Sequence, residues 1–398
     1  MKKILVLGGS SYNKESISSL VQMGLEVHVA DGDPNAGAFG LAARDHVLDI
    51  KSHEQVLDLA NILEVDAIIP SNDFSVQAAA SVSNALGLRG ISVTSALLST
   101  DKAEMRKVWH KNGLPNPRFH IVEDFQDMNG AIQDLGFPVI LKPAHGIGGG
   151  SRGVIVISRE DDLLKGFSHA TSFYAKKTLL VEEYLQSISE HSIEVVVQNG
   201  DVNVLGVSEK VKYDPPFRVD KAVIYPANLN AVQMIQIQDI AESVCKSFGI
   251  SNGVAHIEIG WTRRGPILFE AASRCGGGAI PSVILPYLTG INQFSTYASI
   301  LLGEKVDLHP TKVDKSVGYY FVAPKPGIIR SVEFLHDFES DMRILEYDLC
   351  AIRAGKEIRP VKFGSERSGY FVLSGDSNDS IIEYGKLLEN AIQIQYEE

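Results

Sequence analysis

Cysteine is scarce in this chain: Cys245, Cys275 and Cys350 are the only three among 398 residues, and they are too far apart for a zinc-type spacing or a disulfide framework. Free thiols in a reducing compartment are expected. Basic residues are also short, since 37 Lys and Arg against 49 Asp and Glu give a formal charge of -12. That leaves no basic field to hold a nucleic-acid backbone, so no nucleic-acid partner is expected. No uninterrupted apolar run approaches the ~18 residues of a spanning helix. In "MKKILVLGG" the glycines arrive before a signal-peptide core could form, so this stretch reads as a strand. The expectation is a cytoplasmic protein with no membrane partner. Repeats, low-complexity stretches and long linkers are absent as well.

What is present is a globular composition, 44% hydrophobic and 22% charged. Single cores stop growing near ~250–300 residues, so two or three domains are expected. "KKILVLGGSS", a helical pattern over 14–23 and "EVHVADGDP" form a βαβ unit. "AARDHVLDI", a helix at 53–63, "VDAIIPSND", a helix at 74–86 and the strand-like "GISVTS" continue the alternation. This implies a parallel sheet covered on both faces, closing near Ser95. Gly8 and Gly9, with Asp31 and Asp33 after the second strand, invite a dinucleotide reading. The third glycine of GxGxxG is missing, however, and a tight strand-to-helix turn needs glycines anyway.

After Ser95 the texture becomes α+β. A helix at 100–111, a strand at 117–121 and a helix at 127–135 precede "PVILKP", a glycine loop and "GVIVIS", which read as an antiparallel hairpin. After a helix at 160–168, "TLLVEEYL", "HSIEVVVQNGDVNVLGVSEK" and "GVAHIEIGWTRRGPILFEAASR" read as strands, the last two as hairpins around Asn-Gly and Arg-Arg-Gly turns. The tail beyond about 309 holds a strand, a Gly-Asp turn and a helix.

In "LKPAHGIGGGSRGV", Lys142 stands on a buried-type strand and is followed by Gly148, Gly149, Gly150 and Ser151. Glycine-rich backbone presents N–H groups to a phosphate without side chains in the way. A surface hairpin using glycine only for flexibility fits the loop equally well. GxxxxGK[ST] is absent, so it is not a P-loop. Lys102, at a helix start, and Lys142 supply positive charge for phosphates. In "LLVEEYLQ", Glu182 and Glu183 mark either an edge strand turning outward or a hinge against which an adenine lies. Glu258 in "VAHIEIGW" and Glu270 in "PILFEAAS" stand on neighbouring apolar strands, where two carboxylates repel unless a cation intervenes. Magnesium, held by one or two carboxylates plus substrate phosphates, suits that pair. The alternative is core acids paired with Arg274 or His256.

The order Lys102 in "TDKAEMR", Lys142 with its glycine lid, "VEEYL", Glu258 and Glu270 resembles the ATP-grasp superfamily of carboxylate–amine and carboxylate–thiol ligases, along nearly the whole chain. The resemblance implies α/β and α+β architecture in three parts: a Rossmann-like pre-grasp domain over 1–95, a grasp domain over 96–308 with its glycine-lid subdomain about 115–181, and a C-terminal α+β lid region over 309–398. It implies that ATP phosphates meet Lys102, Lys142, Gly148, Gly149, Gly150 and Ser151. Adenine would lie against Glu182, Glu183, Tyr184 and Leu185, with Glu190 on the ribose and Lys210 near the phosphates. Glu258 and Glu270 would hold Mg2+, with two ions and Mn2+ as a substitute expected. Arg274, with Lys142 the catalytic pair, would stabilise an acyl-phosphate and its tetrahedral adduct.

Many members read Glu-x-Asn-x-Arg where this chain reads "EAASR", with Ala272 in place of the asparagine. This variant resembles bacterial L-amino-acid ligases, in which Gly276, Gly277 and Gly278 would line the amino-acid pocket; those glycines equally suit a tight turn before a helix near Pro281. Asp214, Arg218 and Asp220 are candidate substrate contacts, and an acidic pocket would favour a basic amino acid. The expected reaction joins two amino acids into a dipeptide, giving ADP and phosphate, with small-molecule substrates and a homodimeric assembly. A carboxylase or purine-pathway ligase using bicarbonate or formate is the alternative, although no biotin-carrier Met-Lys-Met is present. A non-catalytic nucleotide-binding regulator and a nicotinamide dehydrogenase complete the field.

Overall fold

The computed structural model describes residues 1–145, 150–173, 177–311 and 313–397. Strand β1 (Lys3–Leu7) is buried from Ile4 onward, as a central parallel strand must be. With α1 (Lys14–Gln22), β2 (Glu26–Asp31), β3 (Arg44–Val47), α2 (His53–Leu63), β4 (Ala67–Pro70) and α3 (Val76–Ala85), it builds a sheet ordered β3-β2-β1-β4 whose pairings are all parallel. The strand expected at "GISVTS" does not form. Helix α4 (Val93–Thr100) stands there instead, because the Ser92 hydroxyl accepts the Ser95 N–H at 2.9 Å and caps it, while Ala96 and Leu98 face the core.

Helix α5 (Lys102–Lys111) starts where the Asp101 carboxylate accepts the Ala103 and Glu104 N–H groups. Strand β5 (Phe119–Val122), α6 (Phe125–Leu135), β6 (Val139–Pro143), β7 (Ile155–Ile157), α7 (Leu163–Thr171) and β8 (Leu179–Glu183) make the small subdomain, an antiparallel sheet ordered β5-β8-β6-β7. Strand β8 therefore lies between two others and is not an edge. Strands β9 (Ser189–Gln198) and β10 (Asp201–Val207) turn at Asn199 and Gly200, both at positive φ, as their Asn-Gly sequence foretells. Strands β11 (Glu209–Lys212) and β12 (Asp220–Tyr225) follow, then α8 (Ala231–Phe248), which Asn230 and Gln233 cap reciprocally and Gly249 ends in the left-handed region. Strands β13 (Gly253–Thr262) and β14 (Gly265–Ala272) complete a second antiparallel sheet, β10-β9-β13-β14, with α8 and α5 packed against its apolar face.

Beyond a single wide turn at Ile280–Ile284, α9 (Leu285–Thr289) and α10 (Gln293–Leu302) pack the front domain onto this sheet. The C-terminal strands are β15 (Ser316–Val322), β16 (Gly327–Phe334), β17 (Ile344–Asp348), β18 (Glu357–Ile358) and β19 (Gly369–Gly375), followed by α11 (Asn378–Asn390) and β20 (Ile392–Tyr396). Because β15 pairs with β12, the sheet runs β11-β12-β15-β19-β17 straight across residue 309, and the C-terminal segment extends the preceding domain. A small sheet β18-β16-β20 flanks it. Among the described residues no helix is long and apolar enough to cross a membrane.

Candidate active site

A cavity of about 490 Å³ opens where the front sheet, the small subdomain, the β9–β13–β14 sheet and the C-terminal strands meet. It brings together Lys102, Lys142, Gly150, Ser151, Glu182, Glu183, Tyr184, Leu185, Glu190, Lys210, Asp220, Glu258, Glu270, Arg274, Gly277 and Gly278. These come from widely separated parts of the sequence. Gly148 and Gly149 lie outside the described residues. Gly276 does not line the cavity: a Cβ there would stand 2.8 Å from Glu194 Oε2, so this glycine is required for packing on a buried carboxylate. Asp214 is exposed and does not line it.

Lys142 is buried, and its charge is met by Glu182, whose Oε2 lies 2.8 Å from the ammonium. Glu182 also accepts from Arg106 Nε at 2.7 Å. Burial lowers the Lys142 pKa, the Glu182 carboxylate pulls it back and the Arg106 guanidinium depresses it further, leaving it at about 8. The Glu182 side chain therefore anchors a buried cation network; only its backbone is available to an adenine. Glu183 accepts from Arg264 Nη2 at 2.9 Å and from the Arg118 N–H at 2.9 Å, tying the outer end of β8. The N–H of Tyr184 donates to Pro138 O. The glycine segment re-enters at Gly150, whose φ is +80° and whose carbonyl accepts the Gly364 N–H at 2.6 Å, while the Ser151 hydroxyl donates to Arg218 O at 2.6 Å.

Glu258 and Glu270 stand directly opposite each other on β13 and β14, as the register demands. Their charges are met by lysines: Lys210 Nζ is 2.5 Å from Glu258 Oε1, and Lys102 Nζ is 2.7 Å from Glu270 Oε1. Lysine ammonium groups thus supply the counter-cations that the sequence argument assigned to a metal. The Glu258 carboxyl is held well below its usual range because Lys210 and His256 outweigh the effect of burial. Behind it, His256 Nδ1 donates to the buried Glu194, which also accepts from Tyr225 Oη, both at 2.8 Å. Burial opposes the His256 cation, but Glu194 and Glu258 prevail and raise its pKa to about 9. Residue 272 is the cross-strand partner of His256, so the alanine in place of asparagine faces an imidazole.

Among the described residues no group of three or more His, Cys, Asp or Glu is arranged to hold a metal ion. Two opposed, partly exposed carboxylates nonetheless suit a magnesium ion whose remaining ligands are phosphate and water oxygens.

Arg274 is held by both oxygens of Asp73, at 2.7 and 2.9 Å. Burial disfavours both charges, yet the pairing lowers the Asp73 pKa and raises that of Arg274. Asp73 follows β4 at the carboxyl end of the parallel sheet, where ligands of open α/β sheets gather; that position is the signal by which it could have been found. Asp220 is neutralised by Lys212 at 2.7 Å, and Glu190 by Lys212 at 3.2 Å and by Arg218. Of the two acids expected in a substrate pocket, Asp214 lies away from the cavity, whereas Asp220 lines it as the ion-pair partner of Lys212. Asp31 accepts the Gly9 and Asp33 N–H groups at 2.7 and 2.9 Å, so it fixes the first loop and is not free for a nicotinamide ribose. Arg106, Arg152, Lys212, Glu194 and Arg367 were not foreseen; most of their contacts join residues far apart in the sequence and leave no local pattern.

The sequence profile of the ATP-grasp domain matches residues 135–282, the segment that carries the small subdomain from β6 onward, the Glu258–Glu270 pair and Arg274. The chain is 24% identical over 313 residues to the L-arginine-specific L-amino acid ligase of Bacillus subtilis, covering 77% of this chain and 74% of that one. It is 26% identical over 292 residues to the alanine–anticapsin ligase of Bacillus subtilis strain 168, covering 68% of this chain and 61% of that relative. The crystal structure of an L-amino acid ligase from Bacillus licheniformis superimposes with a TM-score of 0.85 at 20% identity, covering all of this chain and 99% of the other. The fold is thus the ATP-grasp fold. Residues 135–282 match the ATP-grasp domain, and relatives that are similar over about two thirds or more of the chain are named as amino acid ligases.

Proposed function

We propose that this enzyme uses ATP to activate the carboxylate of one amino acid as an acyl-phosphate and couples it to the amine of a second, releasing a dipeptide, ADP and phosphate. The observation that carries the reading is the cross-strand Glu258–Glu270 pair, bridged to Lys210 and Lys102, in one cavity with Lys142 and the Asp73-held Arg274. A carboxylate is a poor electrophile, and phosphorylation gives it a good leaving group. Lys102, Lys142 and Lys210 offset charge on the phosphates, Leu185 and the backbone of β8 border the adenine, and Arg274 holds the activated carboxyl oxygen. Glu258 and Glu270 would bind a magnesium ion, which supplies charge neutralisation at the transferred phosphoryl group. The Gly150 end of the lid, clasped to Gly364, keeps water from the acyl-phosphate.

ADP release measured with the twenty amino acids singly and in pairs, and with bicarbonate alone, tests this. ADP that requires amino acids, accompanied by a coupled product in the mass spectrum, is expected; release with bicarbonate alone would move the enzyme to carboxylation.

A further inference from the structure

The cations that line the cavity are almost all matched to acids: Lys142 to Glu182, Lys102 to Glu270, Lys210 to Glu258, Lys212 to Asp220, Arg274 to Asp73. Arg367 differs. Among the described residues no carboxylate stands within ion-pair distance of it, and its hydrogen bonds go only to carbonyls: Nε to Gly364 O at 2.8 Å and Nη1 to Asp220 O at 3.3 Å. Its guanidinium lies 3.5 Å above the centre of the Phe321 ring. Stacking on one face and the carbonyl bonds at Nε and Nη1 fix the plane, and Nη2 is left with no partner among the described residues. Burial outweighs the pull of Asp220 and lowers the pKa of this guanidinium, as befits a cation short of acid partners. A rigid, planar fork with unspent donors in a cavity is built for a carboxylate.

Its surroundings say which carboxylate. Arg367 just precedes β19, and Phe321 lies on β15, across the cavity's C-terminal wall; Glu258, Glu270 and Arg274 belong to or follow β13 and β14. Phe321 stacks on Tyr319 with ring centres 5.0 Å apart, and the Tyr319 hydroxyl accepts the Ala279 N–H beside Gly278. A Cβ on Gly278 would meet that hydroxyl at 2.2 Å and Tyr12 at 3.4 Å. An aromatic wall thus joins the glycine turn to the arginine.

In an amino-acid coupling the acyl donor surrenders its carboxylate to phosphorylation, whereas the amine donor keeps its own throughout. Resting on the ligase reading above, we infer that Arg367 is the specificity residue for the amine-donating substrate, binding its retained α-carboxylate while Tyr12 and Phe321 border its side chain. The substrate class is a free α-amino acid in the second position.

The test compares an amine donor as the free acid and as its primary amide, by initial-rate phosphate release with wild type, Arg367→Gln and Arg367→Lys. Wild type should favour the free acid. Arg367→Gln should raise the KM for the free acid roughly 10- to 100-fold, the loss of one charged hydrogen-bonded pair, and leave the amide, ATP and the acyl donor unaffected. Arg367→Lys, which keeps charge without the fork, should fall between. Equal rises for acid and amide, no change, or a rise confined to the acyl donor would each overturn the assignment. Wild type that couples no amino acid at all would instead overturn the ligase reading, and that arm is read without any variant.

Discussion

Lys142 carries a titration that should be visible in ATP binding. At pH 7 its ammonium is charged, and with a pKa of about 8 it loses its proton on a modest rise in pH. The phosphates need the cation, so ATP affinity should fall above pH 8 by up to about tenfold per pH unit, and ATP binding there should take up a proton as the phosphates raise the pKa. Calorimetry in buffers of different ionisation enthalpy measures this uptake. It should vanish in Lys142→Met; equal uptake in that variant would remove Lys142 from the phosphate site. The lysine could be singled out from the sequence because a charge in "PVILKP" is out of place on a buried strand. Its partner could not: Glu182 read as part of an adenine hinge, and its bonds to Lys142 and Arg106 arise only when β8 is sheeted beside β6 and α5 packs beneath.

The β13–β14 hairpin decides the chemistry through its register. A slip of one residue would turn either Glu258 or Glu270 to the opposite face, against α8 and α5. This part of the site could be read from the sequence, since each glutamate interrupts an apolar strand and the Arg-Arg-Gly turn fixes the pairing. The segment 90–95 misled, because "ISVT" has the composition of a strand while the Ser92 cap and the burial of Ala96 and Leu98 favour a helix. The lid's second arm matters for a different reason. Gly150 has a positive φ, and a Cβ there would lie 3.2 Å from the Gly364 backbone. In Gly150→Val the left-handed conformation costs roughly 1–2 kcal/mol and the side chain pushes on the clasp, shifting closure about tenfold toward open. ADP released in excess of dipeptide formed should then appear; a stoichiometry still at one to one would show that this clasp does not protect the intermediate.

The molecule as a whole is acidic at -12, yet among the described residues eight Lys and Arg against six Asp and Glu line the cavity. The interior of the cleft therefore has the opposite sign to the surface, which suits a polyanionic nucleotide and disfavours extended nucleic acid. The overall division into a parallel front sheet and later antiparallel sheets was evident from alternation and hairpin turns. The joining of β12 to β15 was not, because a pairing nearly a hundred positions apart leaves no mark on either strand. The proposed reaction makes one central claim: a carboxylate is phosphorylated before an amine attacks it. The most direct measurement supplies an acyl-donor amino acid labelled with 18O in its carboxylate and analyses the released phosphate by mass spectrometry. Transfer of one labelled oxygen into phosphate, in step with dipeptide formation, is the predicted result; dipeptide formed with wholly unlabelled phosphate would contradict it.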